Sequence, residues 1–170
     1  EPHRMYPDGN ALGHLVGYVG EVSQDQLTRK VFPGARMGEI VGKSGLEIEY
    51  DSVLRGAPGV SFDEVTARGR TVREPGDARR LRPVDGRTLQ TTIDLPLQRF
   101  VDSMWRATPF LEARRGALLA MRPDGAILAY YSYPTFDPNA WVGGISSADY
   151  ALLRDDPARP DPAGLEQVAD

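Results

Sequence analysis

The chain has 170 residues, 41% of them hydrophobic, and a mean hydropathy of −0.39, enough to bury a core in one domain or one and a half. Acids outnumber bases 24 to 20 and the pI is near 5.2, which argues against nucleic acid as a partner because phosphate binding needs a basic surface. The lack of cysteine excludes disulfides and thiolate metal sites, and the apolar runs fall far short of the roughly 20 residues that cross a bilayer.

Glu1-Pro2-His3 carries no initiator Met and no basic-then-apolar leader, so a piece of a longer protein is expected. Arg4-Met5-Tyr6-Pro7-Asp8-Gly9 holds a turn. Residues 11–20 suit a short helix followed by a strand, with Gly13, Gly17 and Gly20 marking close backbone approach or bends. Ser23 caps a helix of one or two turns, Val31-Phe32-Pro33-Gly34 is a loop, and 37–41 lead into the central stretch.

Residues 42–56 read as one capped helix. Ser44 stands at its N-cap, Glu47 follows three residues later as in a capping box, and Gly56 suits a left-handed stop. Leu46, Tyr50, Val53 and Leu54 form the apolar face, which leaves Glu49 and Asp51 for the surface or a partner. Gly42-Lys43-Ser44 echoes a phosphate loop, but Gly38 lies four residues before Gly42 where that motif needs five, so nucleotide binding is not expected.

Residues 60–74 alternate as a two-stranded ribbon turning at Gly69. The four arginines of 75–87 read as a solvated loop rather than a site for an acidic partner, and 88–93 as a strand. Asp94 caps a helix with Pro96 in its first turn, and Leu97, Phe100, Val101, Met104 and Trp105 form a core-facing stripe. Two apolar strands, 116–121 and 126–133, flank the turn Arg122-Pro123-Asp124-Gly125, and a short helix is expected at 147–154.

Several of these stretches together resemble class B penicillin-binding proteins. Arg4-x-Tyr6-Pro7-x-Gly9, His14-x-x-Gly17-Tyr18-Val19-Gly20 and Gly42-x-x-Gly45-x-Glu47-x-x-x-Asp51-x-x-Leu54-x-Gly56 resemble their non-catalytic dimerisation or pedestal module. Thr92-Ile93-Asp94-Leu95-x-Leu97-Gln98 resembles the junction with the transpeptidase domain, and Phe136-Asp137-Pro138-Asn139 with Gly143-Gly144-Ile145-Ser146 is closest to the elongation-specific penicillin-binding protein 2 group.

The resemblance implies an α+β fold: an elongated pedestal of short strands and helices over 1–92, then a helix and β-hairpin opening an incomplete transpeptidase domain over 93–160, with a tail, 161–170, of unknown role. It makes Arg4, Tyr6, Gly9, His14, Gly17, Tyr18, Gly42, Gly45, Glu47, Asp51, Leu54 and Gly56 the pedestal interaction set, with an ion pair expected between Arg4 and Glu47. It implies a membrane-anchored periplasmic parent that crosslinks peptidoglycan stem peptides, docked to an MreC-type scaffold and a RodA-type glycosyltransferase. No cofactor or metal is implied. None of the eight serines is followed three residues on by lysine, so the Ser-x-x-Lys nucleophile is missing, as are Ser-x-Asn and Lys-Thr-Gly. Three alternatives stand beside this: a free-standing cell-wall binding module, the division-specific class B relative, and a small hydrolase built on His14. That histidine more simply reads as a hydrogen-bonded structural residue.

Overall fold

The computed structural model describes residues 4–61, 64–65, 71–73, 80–112 and 115–145. The chain divides into two compact units, Glu1–Asp51 with Gln90–Asp170, and Ser52–Leu89. Both are mixtures of short helices and small antiparallel sheets, the α+β class expected.

In the first unit, helix α1 (Gly9–Val16) leads through Gly17 into strand β1 (Val19–Glu21), which pairs with β2 (Ile40–Gly42) in the register Val19 opposite Gly42. Between them lies α2 (Gln24–Thr28), whose Ser23 hydroxyl accepts from Gln26 N while the Gln26 side chain accepts from Ser23 N, a complete capping box. Val22, Phe32 and Val41 close a small core beneath this sheet.

The 42–56 stretch is two helical turns and not one helix. α3 (Gly45–Glu49) stops at Tyr50, and α4 (Asp51–Leu54) starts afresh. Ser44 makes no side-chain cap and Glu47 closes no capping box. Asp51, expected at the surface, is buried, and its carboxylate accepts from Gly42 N at 3.0 Å. That tertiary bond holds the start of α4 against β2, which a continuous straight helix would carry away.

The second unit holds β3 (Val60–Ser61), β4 (Glu64–Val65), β5 (Thr71–Arg73) and β6 (Arg80–Leu81). β4 pairs with β5 as the ribbon requires, while the proposed turn at Gly69 lies outside the described residues. The arginine-rich loop reading is corrected at 80–84: Leu81 pairs opposite Val60 and Val84 bridges to Ala57.

Chain order returns to the first unit with α5 (Leu95–Ala107), the short α6 (Pro109–Glu112), and the hairpin of β7 (Gly116–Met121) and β8 (Ile127–Tyr133). Asp94 caps α5 by accepting from Leu97 N at 3.0 Å. Val101 and Trp105 pack on Tyr131 in a second core, but Phe100 points outward at 63% exposure and Gln98 takes the buried face instead. Gln98 sits three residues before Val101 and seven before Trp105, on the same helical stripe. Its amide Nε2 donates to Ala11 O at 2.6 Å and Tyr130 O at 2.8 Å, and its Oε1 accepts from Tyr130 N at 2.9 Å.

Residues 88–93, expected as a strand, form none. Thr92 Oγ1 donates to Ile127 O and Asp94 N to Leu128 O, so the segment touches the outer edge of β8. The chain then turns into α5 at the Asp94 cap, and the Gln98 side chain occupies the next edge position at Tyr130. The helix expected at 147–154 lies outside the described residues.

Gln98→Ala should cost about 2–4 kcal/mol, because it orphans buried backbone groups on α1 and β8 and opens a void. Phe100→Ser should change stability by under ~0.5 kcal/mol, as for ordinary surface changes. Urea denaturation of both variants checks the contrast.

Candidate functional site

Glu47 on α3 is a charged side chain folded inward, 7% exposed. Its Oε2 lies 3.0 Å from Arg4 Nη2, and its Oε1 accepts from Tyr6 OH at 3.1 Å. Burial, followed by the charge and hydrogen bond of Glu47, drives the Tyr6 hydroxyl far above the ordinary tyrosine range. The Tyr6 backbone is held just as firmly: Asn139 Oδ1 accepts from Tyr6 N at 2.9 Å and Asn139 Nδ2 donates to Tyr6 O at 2.8 Å. One carboxylate thus joins the N-terminal motif to α3, and one amide joins the same motif to the segment after β8.

Glycines let these elements touch through backbone. Gly17 and Gly45 both have positive φ, +76° and +58°, and meet where the end of α1 crosses the start of α3. A Cβ on Gly17 would collide with Ser44 O, and one on Gly45 would stand 2.6 Å from Leu15 O. Gly42 faces the Glu47 carbonyl with no room for a methyl group, and Gly9 lies against Asp137. His14 Nε2 donates to Pro134 O at 2.9 Å and its ring meets Phe136 edge-on at 5.1 Å. Tyr18 packs on Trp141 with ring centroids 4.4 Å apart, in a core with Phe136.

The motif residues therefore separate into two groups. Arg4 through Asp51 gather in the first unit around α1, β2 and α3. Leu54 and Gly56 belong to the second, where Gly56 (φ +72°) lies against the backbone of Val84–Gly86. The phosphate-loop echo has no counterpart in the geometry: Gly42 N is taken by Asp51, and Lys43 Nζ donates to Gln26 Oε1 at 2.6 Å.

Sequence reasoning missed the residues that tie α1 to its surroundings: Asp8, Gln98, Arg99 and Asn139. A glutamine on an otherwise apolar helix stripe was the available signal for Gln98. For Asn139 it was the Asp-Pro-Asn turn, in which Asp137 Oδ1 accepts from Asn139 N at 2.9 Å. Near them lies a polar cleft of about 230 Å³ lined by Tyr6, Asp8, Arg99, Asp102, Asp137 and Asn139. Its carboxylates already have partners, Asp137 through hydrogen bonds from Asn139. Arg99 grips Asp8 with bonds of 2.6 and 2.9 Å, which hold that carboxyl below its usual range, and Asp102 accepts from Arg106 and Tyr131 OH. Among the described residues no cluster of three metal-ligating side chains occurs.

The Penicillin-binding Protein dimerisation domain family matches residues 1–91. The chain belongs to this family. Over 162 residues it is 35% identical to the peptidoglycan D,D-transpeptidase MrdA of Escherichia coli K12, an alignment covering 92% of this chain and 24% of that protein. The corresponding Haemophilus influenzae protein is 36% identical over 163 residues, with the same coverage of 92% and 24%. Among solved structures, the complex between penicillin-binding protein 2 (PBP2) and MreC from Helicobacter pylori matches with a TM-score of 0.73 and 32% identity, over 93% of this chain and 28% of that one. The chain thus spans about a quarter of the length of these relatives, and its fold is that of the PBP2 dimerisation region.

Arg4→Glu should cost about 1–3 kcal/mol, reduced because Arg4 is partly exposed, and Glu47→Arg about 3–5 kcal/mol, because it buries an unpaired cation. Combining the two should recover at least ~1 kcal/mol, read as melting temperatures in a double-mutant cycle; additive losses would show that the groups do not couple. On the alkaline side, Tyr6 and Tyr131 both have raised pKa values, each chiefly through burial. The folded chain keeps both protons where the unfolded chain loses them, so their stabilisation is intact below pH ~10 and is lost as pH rises beyond it. Ultraviolet titration should show both ionising later than ordinary tyrosines, and Tyr6→Phe should make stability less sensitive to pH above ~10.

Proposed function

We propose that this chain is the non-catalytic pedestal, with the opening of the transpeptidase domain, of a PBP2-type enzyme that crosslinks peptidoglycan stem peptides during elongation. Residues 1–92 form the pedestal and 93–160 begin the transpeptidase domain. The parent is anchored in the cytoplasmic membrane and works on its outer face, although no helix among the described residues is long and apolar enough to cross a membrane. The pedestal's task is to hold protein partners: a scaffold of the MreC kind and a glycosyltransferase of the RodA kind.

The observation that carries this reading is the buried Glu47 hub. Arg4, Tyr6, Glu47 and Asp51 spend their polar groups on one another and on backbone, so the motif holds a shape instead of presenting reactive groups. A rigid, preformed surface is what a docking module needs, since ordering costs are met on folding and not on association. The similarity to PBP2, seen bound to MreC in the Helicobacter pylori complex, supports the choice of partner.

Two measurements test it. The 170-residue chain should bind an MreC-type scaffold domain by biolayer interferometry, and no binding at micromolar concentrations would overturn the docking role. A fluorescent β-lactam should leave the chain unlabelled, because no Ser-x-x-Lys is present. A covalent adduct seen by mass spectrometry would overturn the non-catalytic assignment.

A further inference from the structure

The family match ends at residue 91, but the first compact unit runs across that boundary, joining Glu1–Asp51 to Gln90–Asp170. The two stretches share polar bonds and a core. Tyr18, from the N-terminal stretch, packs with Phe136 and Trp141 in one buried cluster. The Asn139 amide holds both backbone groups of Tyr6, Ala11 O accepts from Gln98, Asn10 O accepts from Thr135, and His14 Nε2 donates to Pro134 O. Pulling α1 and β1 away would open the Tyr18 core to water and leave these polar groups without partners, a cost that local opening cannot avoid.

The hydrogen bonds of the second unit are of another kind, because they run between its own residues. Ala57 and Val84 exchange backbone bonds of 2.8 and 2.9 Å, Arg87 N donates to Val53 O at 2.8 Å, and Gly86 lies against the Leu54 carbonyl. The three hydrophobic clusters found among the described residues all belong to the first unit.

We infer that the cooperative folding unit of this chain is discontinuous: α1, β1, β2 and α3 open and close together with α5 and β8, while the second unit opens separately. The boundary at residue 91 is then a boundary of sequence family and not of folding. Stretches with self-contained hydrogen bonds and little buried apolar surface lie at the low end of local stability, and segments that rearrange on meeting a partner are drawn from that end. The second unit is where this chain can change its structure while the N-terminal motif and α5 stay in place. That holds whichever partner the chain takes and does not depend on the docking reading.

The test is native-state hydrogen exchange of the 170-residue chain in urea below its unfolding transition. The amides of Val22, Lys43 and Val101 should converge on one opening reaction, with those of Ala57, Val84 and Arg87 at least about tenfold less protected. Gln98→Ala should lower protection at Val22, Lys43 and Val101 by a common factor of about tenfold or more and leave Ala57, Val84 and Arg87 unchanged. Thr135→Val, which removes a single hydrogen bond to Asn10 O, should do the same by about threefold and serves if the first variant does not fold. Gly86→Ala sets a methyl group against the Leu54 carbonyl and should deprotect Ala57, Val84 and Arg87 alone. Protection kept at Val22 and Lys43 while Val101 loses it would put the folding boundary at residue 91 and overturn the inference. Loss at Ala57, Val84 and Arg87 in step with Val101 would overturn it as well, since the whole chain would then open as one. So would a Gly86→Ala variant that deprotects Val22, Lys43 or Val101.

Discussion

A carboxylate kept away from water is the constraint around which the first unit is arranged. Removing Glu47 from solvent is costly, and an ion pair with a partly exposed arginine offsets only part of that cost. The geometry is therefore over-determined: Arg4 reaches one oxygen, Tyr6 the other, and the backbone of Tyr6 is clasped by Asn139. Such a group contributes little net stability but strongly penalises any arrangement in which its partners are displaced. It specifies where α3 lies relative to the N-terminal segment, and with it the crossing of α1 over α3 that Gly17 and Gly45 permit.

The same logic recurs at the other side of α1. Among the described residues Gln98 is the most enclosed polar side chain, and it acts as a fragment of β-strand, offering a donor and an acceptor to Tyr130 while its second donor reaches Ala11. Arg99, its neighbour in sequence, grips Asp8 just ahead of α1. Thr135 donates to Asn10 O, and His14 donates to Pro134 O. The residues that resemble a pedestal motif are thus bonded, within the first unit, to residues that resemble the start of a transpeptidase domain. The N-terminal segment and α1 are therefore tied to α5 and to the segment after β8 by direct hydrogen bonds.

Local structure was legible where local chemistry is self-sufficient. Ser23 with Gln26, and Asp94 with Pro96, marked their helix starts because capping groups act within a few residues. The Arg122–Gly125 turn declared its hairpin because two apolar strands flank it. The Arg4–Glu47 pair was legible from charge and motif together. Two misreadings share one cause, a partner outside the local window. Asp51 was left for the surface because its donor is a backbone N–H nine residues away on another element, and 80–84 passed for a solvated loop because their strand partners lie back at Ala57 and Val60. Phe100 was assigned to the core because it falls in helical phase with Leu97, Val101, Met104 and Trp105; the buried stripe is centred further round the helix, through Gln98, Val101 and Trp105.

The sequence by itself determined the helix starts after Ser23 and Asp94, the hairpin and the lack of a serine followed three residues on by lysine, while fold class and family came from resemblance of its motifs. These rest on spacing and residue type, which local physics reads directly. Only the tertiary structure decided which polar groups are buried, that the central stretch is two turns instead of one helix, and that α1 is stitched to α5 and β8. Burial of a carboxylate or an amide is settled by whether distant groups arrive to satisfy it, and that is a property of the folded chain.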